Sequence, residues 1–449
     1  FYTNKPMKIT INNATTTSHL LGRDTDDLVT ISLAIEKGKI TQISEHPLPT
    51  SQTHPKENAF EKVIDATGLF LSPALLDPQV HFREPGMEYK EDIASGSRAA
   101  VKGGFASVVS MPNTMPTADN ADVVAFMVEK ARVSGLCKVY PTGALSKGLE
   151  GKEITDFKAL QGAGAVAITD DGKGVQNDGL FKQALINAKT LDMPVLDHSE
   201  DESLSNGGAI HEGEVSQKHC IKGIKASSES VHVKRGCNYS EETGGHYHVL
   251  HVSTADSIDA IRQAKAKGAK VTVEVSPHHL LLCDEDIPVK ADGTLDANWK
   301  MNPPLRSRRD MLACRKALTE GIIDAIATDH APHAPHEKAL HIEKAPFGII
   351  GLETAFALIY THFVKTEKLN LSTAIDLMSK QAGAIFNINC GRIEKGEDAD
   401  LALFDLNTPF TVTPSFFASK SQNSPFINET LYGETHYTLV NGEIKYARP

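Results

Sequence analysis

The stretch Asp77-Pro-Gln-Val-His-Phe-Arg-Glu-Pro-Gly86 follows an apolar run, Leu69 to Leu76, that reads as a buried strand. Imidazole binds transition metals, and guanidinium pairs with carboxylates or phosphates. Side chains two apart on a strand share a face, so Gln79 and His81 point the same way. Arg83 falls in the loop, and Pro85-Gly86 turns the chain. Together these read as a metal centre beside an anion-binding group. Taken alone, a core histidine and a solvated arginine explain the stretch equally well.

The same texture recurs further on. Asn113 follows Met111-Pro112, and Asp170-Asp171-Gly172, Asp197-His198-Ser199-Glu200-Asp201, His251-Val252-Ser253-Thr254 and Thr328-Asp329-His330-Ala331-Pro332-His333 each close a short apolar run. Imidazole and carboxylate together suit zinc, with manganese or cobalt as substitutes. His198 and His251 stand on different strands and can aim at one ion, and Asp171 can bridge two. Zinc lowers the pKa of water to about 7, which makes metal-assisted hydrolysis the natural class. Asp329 can hold metal and also shuttle a proton. No Gly-rich phosphate loop and no Ser or Cys triad pattern competes.

The elements that must position these groups alternate. Strands are expected at Leu69–Leu76, Ala106–Met111, Lys138–Thr142, Ala165–Thr169, Pro194–Leu196, Tyr247–Val252, Lys270–Val275 and Asp324–Ala327. Helices are expected over Tyr89–Lys102, Ala121–Ser134, Gly179–Leu191, Ala255–Lys267, Arg309–Glu320 and Leu352–Phe363, with a further one before Gly162-Ala163-Gly164. A polar, Gly- and Ser-rich insertion runs from the fifth strand to about Gly245. Eight βα units with right-handed crossovers point to an α/β fold, a (β/α)8 TIM-type barrel, whose active site lies at the C-terminal ends of its strands. His81, Asn113, Asp171, His198, His251 and Asp329 all fall at such ends.

Both chain ends read as β. Met7–Ile11 alternates, Thr30–Ile35 and Ile40–Ile43 flank a hairpin, and Asn441-Gly442 turns a second one. We expect residues 1–68 and 386–449 to join in one small β-sandwich domain beside a barrel of residues 69–385. Two separate terminal pieces would each be too small to bury a core.

A chain of 449 residues suits a barrel of ~250 residues with a smaller domain, or two to three modest domains. A net charge of −11 with no Lys/Arg block argues against nucleic acid. No apolar run reaches the ~18 residues a membrane span needs, and Phe1–Pro6 lacks the pattern of a secretory signal. Six scattered cysteines without a C-x-x-C pair are expected to be reduced thiols of a cytoplasmic protein.

The motifs, with Asn302-Pro303-Pro304, Pro277-His278-His279 and Gly391–Asp405, resemble class I dihydroorotases of the amidohydrolase superfamily over nearly the whole length. The resemblance implies one zinc ion held by His81, Asp171 and Asp329, and another by Asp171, His198 and His251. It implies no lysine carbamate, since the fourth strand ends in aspartates. It assigns the substrate carboxylate to Arg83, Asn113 and His333, and the dihydropyrimidine ring to Asn302 and the backbone at Phe347-Gly348. The implied reaction interconverts dihydroorotate and N-carbamoyl-aspartate in pyrimidine biosynthesis, with Asp329 passing a proton to the leaving nitrogen. The implied assembly is a homo-oligomer, such as a dimer. One departure stands out. The family pattern on the first strand is His-x-His, and here Gln79 replaces the first histidine, so one or two ions are open alternatives. Rival readings are another cyclic amidase (an allantoinase or dihydropyrimidinase) and an inactive scaffold that binds aspartate carbamoyltransferase.

Other residues are read more plainly. His278 and His279 are expected to divide between an inward supporting group and packing, and His330 to orient or pack. His211, His219, His232, His246 and His248 are expected to be solvated, Lys173 exposed, Trp299 a cover for the site, and the loop around residues 283–305 a lid.

Overall fold

A computed structural model describes residues 8–50 and 61–449; Phe1–Pro6 and Met7 lie outside the described residues. Eight strands form a parallel ladder. They are β1 (Leu75–Val80), β2 (Phe105–Ser110), β3 (Lys138–Pro141, resuming at Gly143–Ala144), β4 (Ile168–Thr169), β5 (Val195–Asp197), β6 (Tyr247–Val249), β7 (Val271–Val275) and β8 (Ala325–Ile326). Each neighbouring pair is parallel. The ladder closes on itself where Val80 bridges His330 in parallel and His81 N donates to His330 O at 2.9 Å.

The ring is filled from within. Leu76, Val109, Ala167, Leu196, Leu250 and Ala325 form one buried cluster with Ile385 and Phe386, which follow from the short helix Lys380–Ile385. Such layers of inward apolar side chains make a packed core rather than a pore. Helices cover the outside as the 3.6-residue pattern predicts. Ala121–Ser134 has the expected limits and begins with Asn120 accepting from the backbone N–H groups of Asp122 and Val123. The helix expected from Tyr89 starts only at Ile93, where Asp92 and Ser95 form a capping box.

Two expectations need correction. The run Leu69–Leu76 is not one strand. Phe70–Pro73 pairs with Leu401–Asp405 in the terminal sheet, and the ring strand starts at Leu75, so the change of sheet falls at Ala74 and not at residue 68. An apolar run buried on both sides carries no period that could mark the break. The polar insertion holds the 17-residue helix Ser227–Thr243. Its inward side presents Ser228, Glu229, His232, Val233, Gly236, Cys237 and Ser240, a stripe too polar and small to register as hydrophobic periodicity. Consequently His232 is buried, as are His211 and His248, and these three are not solvated.

The two chain ends do meet. The described strands pair in one eight-stranded sheet rather than two separate ones, with Lys8–Thr17 joined to Leu28–Glu36, Glu61–Asp65 and Phe70–Pro73. Glu434–Val440 and Glu443–Ala447 form the hairpin expected around Asn441-Gly442, both residues having positive φ. Phe404 of this sheet stacks on Phe356 beside the ring at 3.9 Å between centroids. Burying such a ring contributes ~2–3 kcal/mol, which ties the sheet to the ring. No helix among the described residues is long and apolar enough to cross a membrane.

Glu353 sits near this seam, accepting from Ala418 N, while its other oxygen has no hydrogen-bond partner. Burial pushes its carboxyl up from 4.5 to about 8, against the Ala418 N–H and the nearby Lys102 charge. The folded protein therefore holds a proton that the unfolded chain releases between these values, and stability falls as pH rises through that window. Glu353→Gln cannot titrate. Urea unfolding at pH 5 and pH 8 should show the variant gaining stability relative to the parent chain as pH rises; an unchanged difference would contradict the assignment.

Candidate metal centre and anion pocket

The ends of β1, β4, β5, β6 and β8 deliver their polar groups to one cleft of about 150 Å3. Asp171, 1% exposed, is the residue around which they gather. Its Oδ1 lies 3.6 Å from His198 Nδ1 and 3.7 Å from His251 Nε2, and these two ring nitrogens are 3.0 Å apart. Two ligand atoms each about 2.0–2.1 Å from a tetrahedral ion stand about 3.3 Å from one another. The three observed spacings bracket that value, so the triad fits a divalent cation without rebuilding. Asp170, the other aspartate of the pair, accepts from Ser146 N and Oγ and faces away. Burial raises its carboxyl to about 6.

His81 faces Asp171 from the opposite side. Its Nε2 is 3.2 Å from Asp171 Oδ2 and 3.0 Å from Asp329 Oδ1. The first contact is close enough for ion pairing but lies outside hydrogen-bond geometry, leaving Asp171 Oδ2 without a hydrogen-bond partner. Asn113 Oδ1 lies 2.9 Å from His81 Nδ1 and can accept its proton, which leaves Nε2 as the ligand atom. Gln79 is fully buried and neither of its amide atoms has a hydrogen-bond partner. It does not line the cleft.

Charge and backbone both record the crowding. Burial alone would raise the Asp171 carboxyl, but the His251 hydrogen bond and the His81 and His198 charges hold it far below the usual carboxylate range. Burial would lower His198, yet the Glu200 hydrogen bond and charge lift it to about 9. Arg83, His251 and Asp329 all have positive φ, at 61°, 34° and 48°. Such conformations cost on the order of 1–3 kcal/mol each and persist where surrounding structure imposes them. Asp77 supplies part of that frame: it accepts from Thr328 N and Oγ1 and from Gln79 N, tying the end of β1 to the end of β8.

Beside the metal ligands lies a cationic pocket. Arg83 Nη2 is 3.3 Å from His333 Nε2, and Arg83 Nε donates to Pro332 O. Burial lowers the guanidinium to about 10, still charged at neutral pH, with Asp329 and Asp171 opposing the drop. Asn302 and Phe347 also line the cleft. Gly348 does not. Its N–H donates to Lys300 O, and its carbonyl accepts from Lys338 and Asn423, so its backbone is already committed. Trp299 is partly buried in a separate apolar cluster with Ile210 and Leu295, and Met301 takes its expected place at the cleft.

A family model described as Dihydro-orotase-like matches residues 68–257. A dihydroorotase of Brevibacillus brevis is 46% identical over 421 residues, covering 94% of this chain and 96% of that one. One of Bacillus caldolyticus is 46% identical over 423 residues with the same coverage. The chain belongs to the dihydroorotase family. The L-hydantoinase (dihydropyrimidinase) of Arthrobacter aurescens superimposes with a TM-score of 0.81 over 97% of this chain and 95% of that one, at 23% identity. The dihydropyrimidinase of Brevibacillus agri does so with a TM-score of 0.81 over 98% and 95%, also at 23%. Identity that low carries the fold alone and nothing about substrate.

Within this dihydroorotase-family chain, further residues support the site, of which Glu200 and Asn423 were not read from the sequence. Glu200 Oε2 holds His198 Nε2 at 3.0 Å and accepts from Asn302 Nδ2 at 2.8 Å. His279 Nε2 meets Pro303 O at 2.9 Å and steadies the Asn302 loop, while His278 and His279 share Ser276 Oγ. His330 packs, buried, between Glu91 and the Gly351 N–H. Asn423, from the C-terminal segment, bonds to His333 N, Ala331 O and Gly348 O. Glu200 lay inside a quoted motif, and its two-residue spacing from His198 was the available signal; Asn423 offered none.

Carboxylates that orient a ligating histidine typically carry ten- to hundredfold in metal affinity. Metal-loaded Glu200→Gln should therefore lose its divalent ion to a competing chelator at about ten- to hundredfold lower chelator concentration. Unchanged metal retention would show that Glu200 does not set His198.

Proposed function

We propose that this enzyme interconverts dihydroorotate and N-carbamoyl-aspartate, the ring-closing step of pyrimidine biosynthesis, on a (β/α)8 barrel that begins at Leu75 beside a β domain built from both chain ends. The observation that carries the reading is the cationic pocket of Arg83 and His333 beside the Asp171, His198 and His251 triad. A cyclic amide alone needs no such pocket, whereas a ring bearing a carboxylate does. This disfavours hydantoin or dihydrouracil as the natural substrate, although the fold is shared with enzymes named for them.

In this reading zinc is held by Asp171, His198 and His251, with His81, Asp171 and Asp329 as a second seat. Bound zinc supplies Lewis acidity, lowering the pKa of water to about 7 and polarising a carbonyl. Arg83 and His333 clamp the substrate carboxylate and Asn113 adds an amide donor. Asn302 and Phe347 face the ring. That places the ring amide toward Asp329, which takes the proton of the attacking water and returns it to the departing ring nitrogen. Gln79, which does not line the cleft, supplies no imidazole to the second seat and leaves it the weaker of the two. The same reading takes the protein as a cytoplasmic homo-oligomer, in keeping with six unpaired thiols.

Metal-loaded enzyme should open dihydroorotate faster than hydantoin or dihydrouracil. Arg83→Ala should cut kcat/KM for dihydroorotate about hundredfold while keeping its metal. Faster turnover of a ring without a carboxylate, or an Arg83→Ala enzyme with normal kcat/KM, would overturn the substrate assignment.

A further inference from the structure

The substrate carboxylate can be gripped by His333 only if the ring nitrogen facing the cleft carries a proton. Four neighbours bear on that proton, of which Glu337 Oε2, 3.7 Å from Nδ1, lies beyond hydrogen-bond range. Lys90 Nζ lies 3.3 Å from His333 Nδ1, Phe347 O lies 2.7 Å from Nε2, and Arg83 Nη2 lies 3.3 Å from Nε2. An ammonium and a guanidinium only donate, and a carbonyl only accepts. With the proton on Nε2, Nδ1 accepts from Lys90 and Nε2–H donates to Phe347 O. With the proton on Nδ1, that proton faces the Lys90 ammonium and a bare Nε2 lone pair faces the Phe347 carbonyl. Arg83, and more weakly the Glu337 carboxylate at 3.7 Å from Nδ1, favour the second arrangement.

We propose that Lys90 is a positioning residue for the reaction, fixing His333 as an Nε2–H donor whose proton, shared between the Phe347 carbonyl and the substrate carboxylate, converges with the Arg83 guanidinium on that carboxylate. The inference rests on the dihydroorotase reading and extends it to a residue outside the cleft lining. Lys90 is itself held. Its side chain is 11% exposed and pairs with Glu337 at 2.9 Å, Glu337 accepts from Tyr89 Oη at 3.1 Å, and Ser421 Oγ donates to the Lys90 carbonyl at 2.9 Å. Asn423 Oδ1 accepts from His333 N at 3.2 Å, so ring and backbone are fixed from different sides. Arg83 and His333 Nε2–H are then two donors at van der Waals separation, an arrangement that an acceptor oxygen between them would satisfy.

The test compares Lys90→Met, which keeps the apolar stem, with Lys90→Arg, which keeps a donor. Both are assayed as metal-loaded enzyme with dihydroorotate, and the His333 ring nitrogens are read by 15N NMR. In Lys90→Met, KM should rise about tenfold or more with kcat much less affected, metal content unchanged and the Nδ1–H tautomer newly populated. Lys90→Arg should recover most of the KM. A parent-like KM in Lys90→Met, an unaltered Nε2–H signature, or equal losses in kcat and stability that Lys90→Arg does not rescue would overturn the proposal. A parent enzyme that does not turn over dihydroorotate would remove the underlying reading first, before any variant is compared.

Discussion

A carboxylate that is almost fully buried must be surrounded by compensating charge, and Asp171 imposes that demand on the whole molecule. Three imidazoles from β1, β5 and β6 approach its two oxygens at 3.2 to 3.7 Å. They can do so only because the ring closes, with Asp77 and Thr328 joining its first and last strands. The His198 and His251 nitrogens, 3.0 Å apart and flanking Asp171 Oδ1, form a set of donors that suits a divalent cation. The positive φ values of Arg83, His251 and Asp329 are the local cost, offset by the packed layer beneath.

The second layer of organisation lies outside the ring. The C-terminal segment brings Ser419 and Lys420 onto Glu91, Ser421 onto the Lys90 carbonyl and Asn423 onto the loops that carry His333 and Gly348. Lys338 adds three carbonyl contacts to the same loops, from Lys300, Pro346 and Gly348. Burial first, and then the neighbouring Lys300 charge, lower its ammonium to about 7. The candidate metal ligands thus come from strand ends, which are stiff, whereas Arg83 and His333, the groups proposed to face a substrate carboxylate, depend on loops pinned from a distant part of the chain. A change in the C-terminal segment can therefore reach the anion pocket without touching the metal ligands.

What could be read from the sequence follows from what leaves a local mark. Polar clusters after short apolar runs located β1, β4, β5, β6 and β8, because a strand end must pass from core to solvent within a few residues. The Asn441-Gly442 turn was legible because its backbone demands positive φ. The break at Ala74 was not, since Phe70–Pro73 and Leu75–Val80 are both buried and differ only in which strands they pair with. The helix Ser227–Thr243 escaped because its buried stripe is built from Ser, Gly, His and Glu side chains. The choice of Asp171 over Asp170 rested on resemblance alone; here Ser146 turns Asp170 aside. Glu200 showed only a spacing, and Lys90 and Asn423 carry no motif, because their roles exist only through contacts made over long stretches of chain.

The most direct test of this account is anomalous diffraction at the zinc edge from crystals grown with zinc. The account predicts its strongest peak within bonding distance of Asp171 Oδ1, His198 Nδ1 and His251 Nε2, with any second peak between His81 and Asp329 being weaker. A cleft without a peak in crystals that bind zinc elsewhere, or a dominant peak away from Asp171, would contradict it.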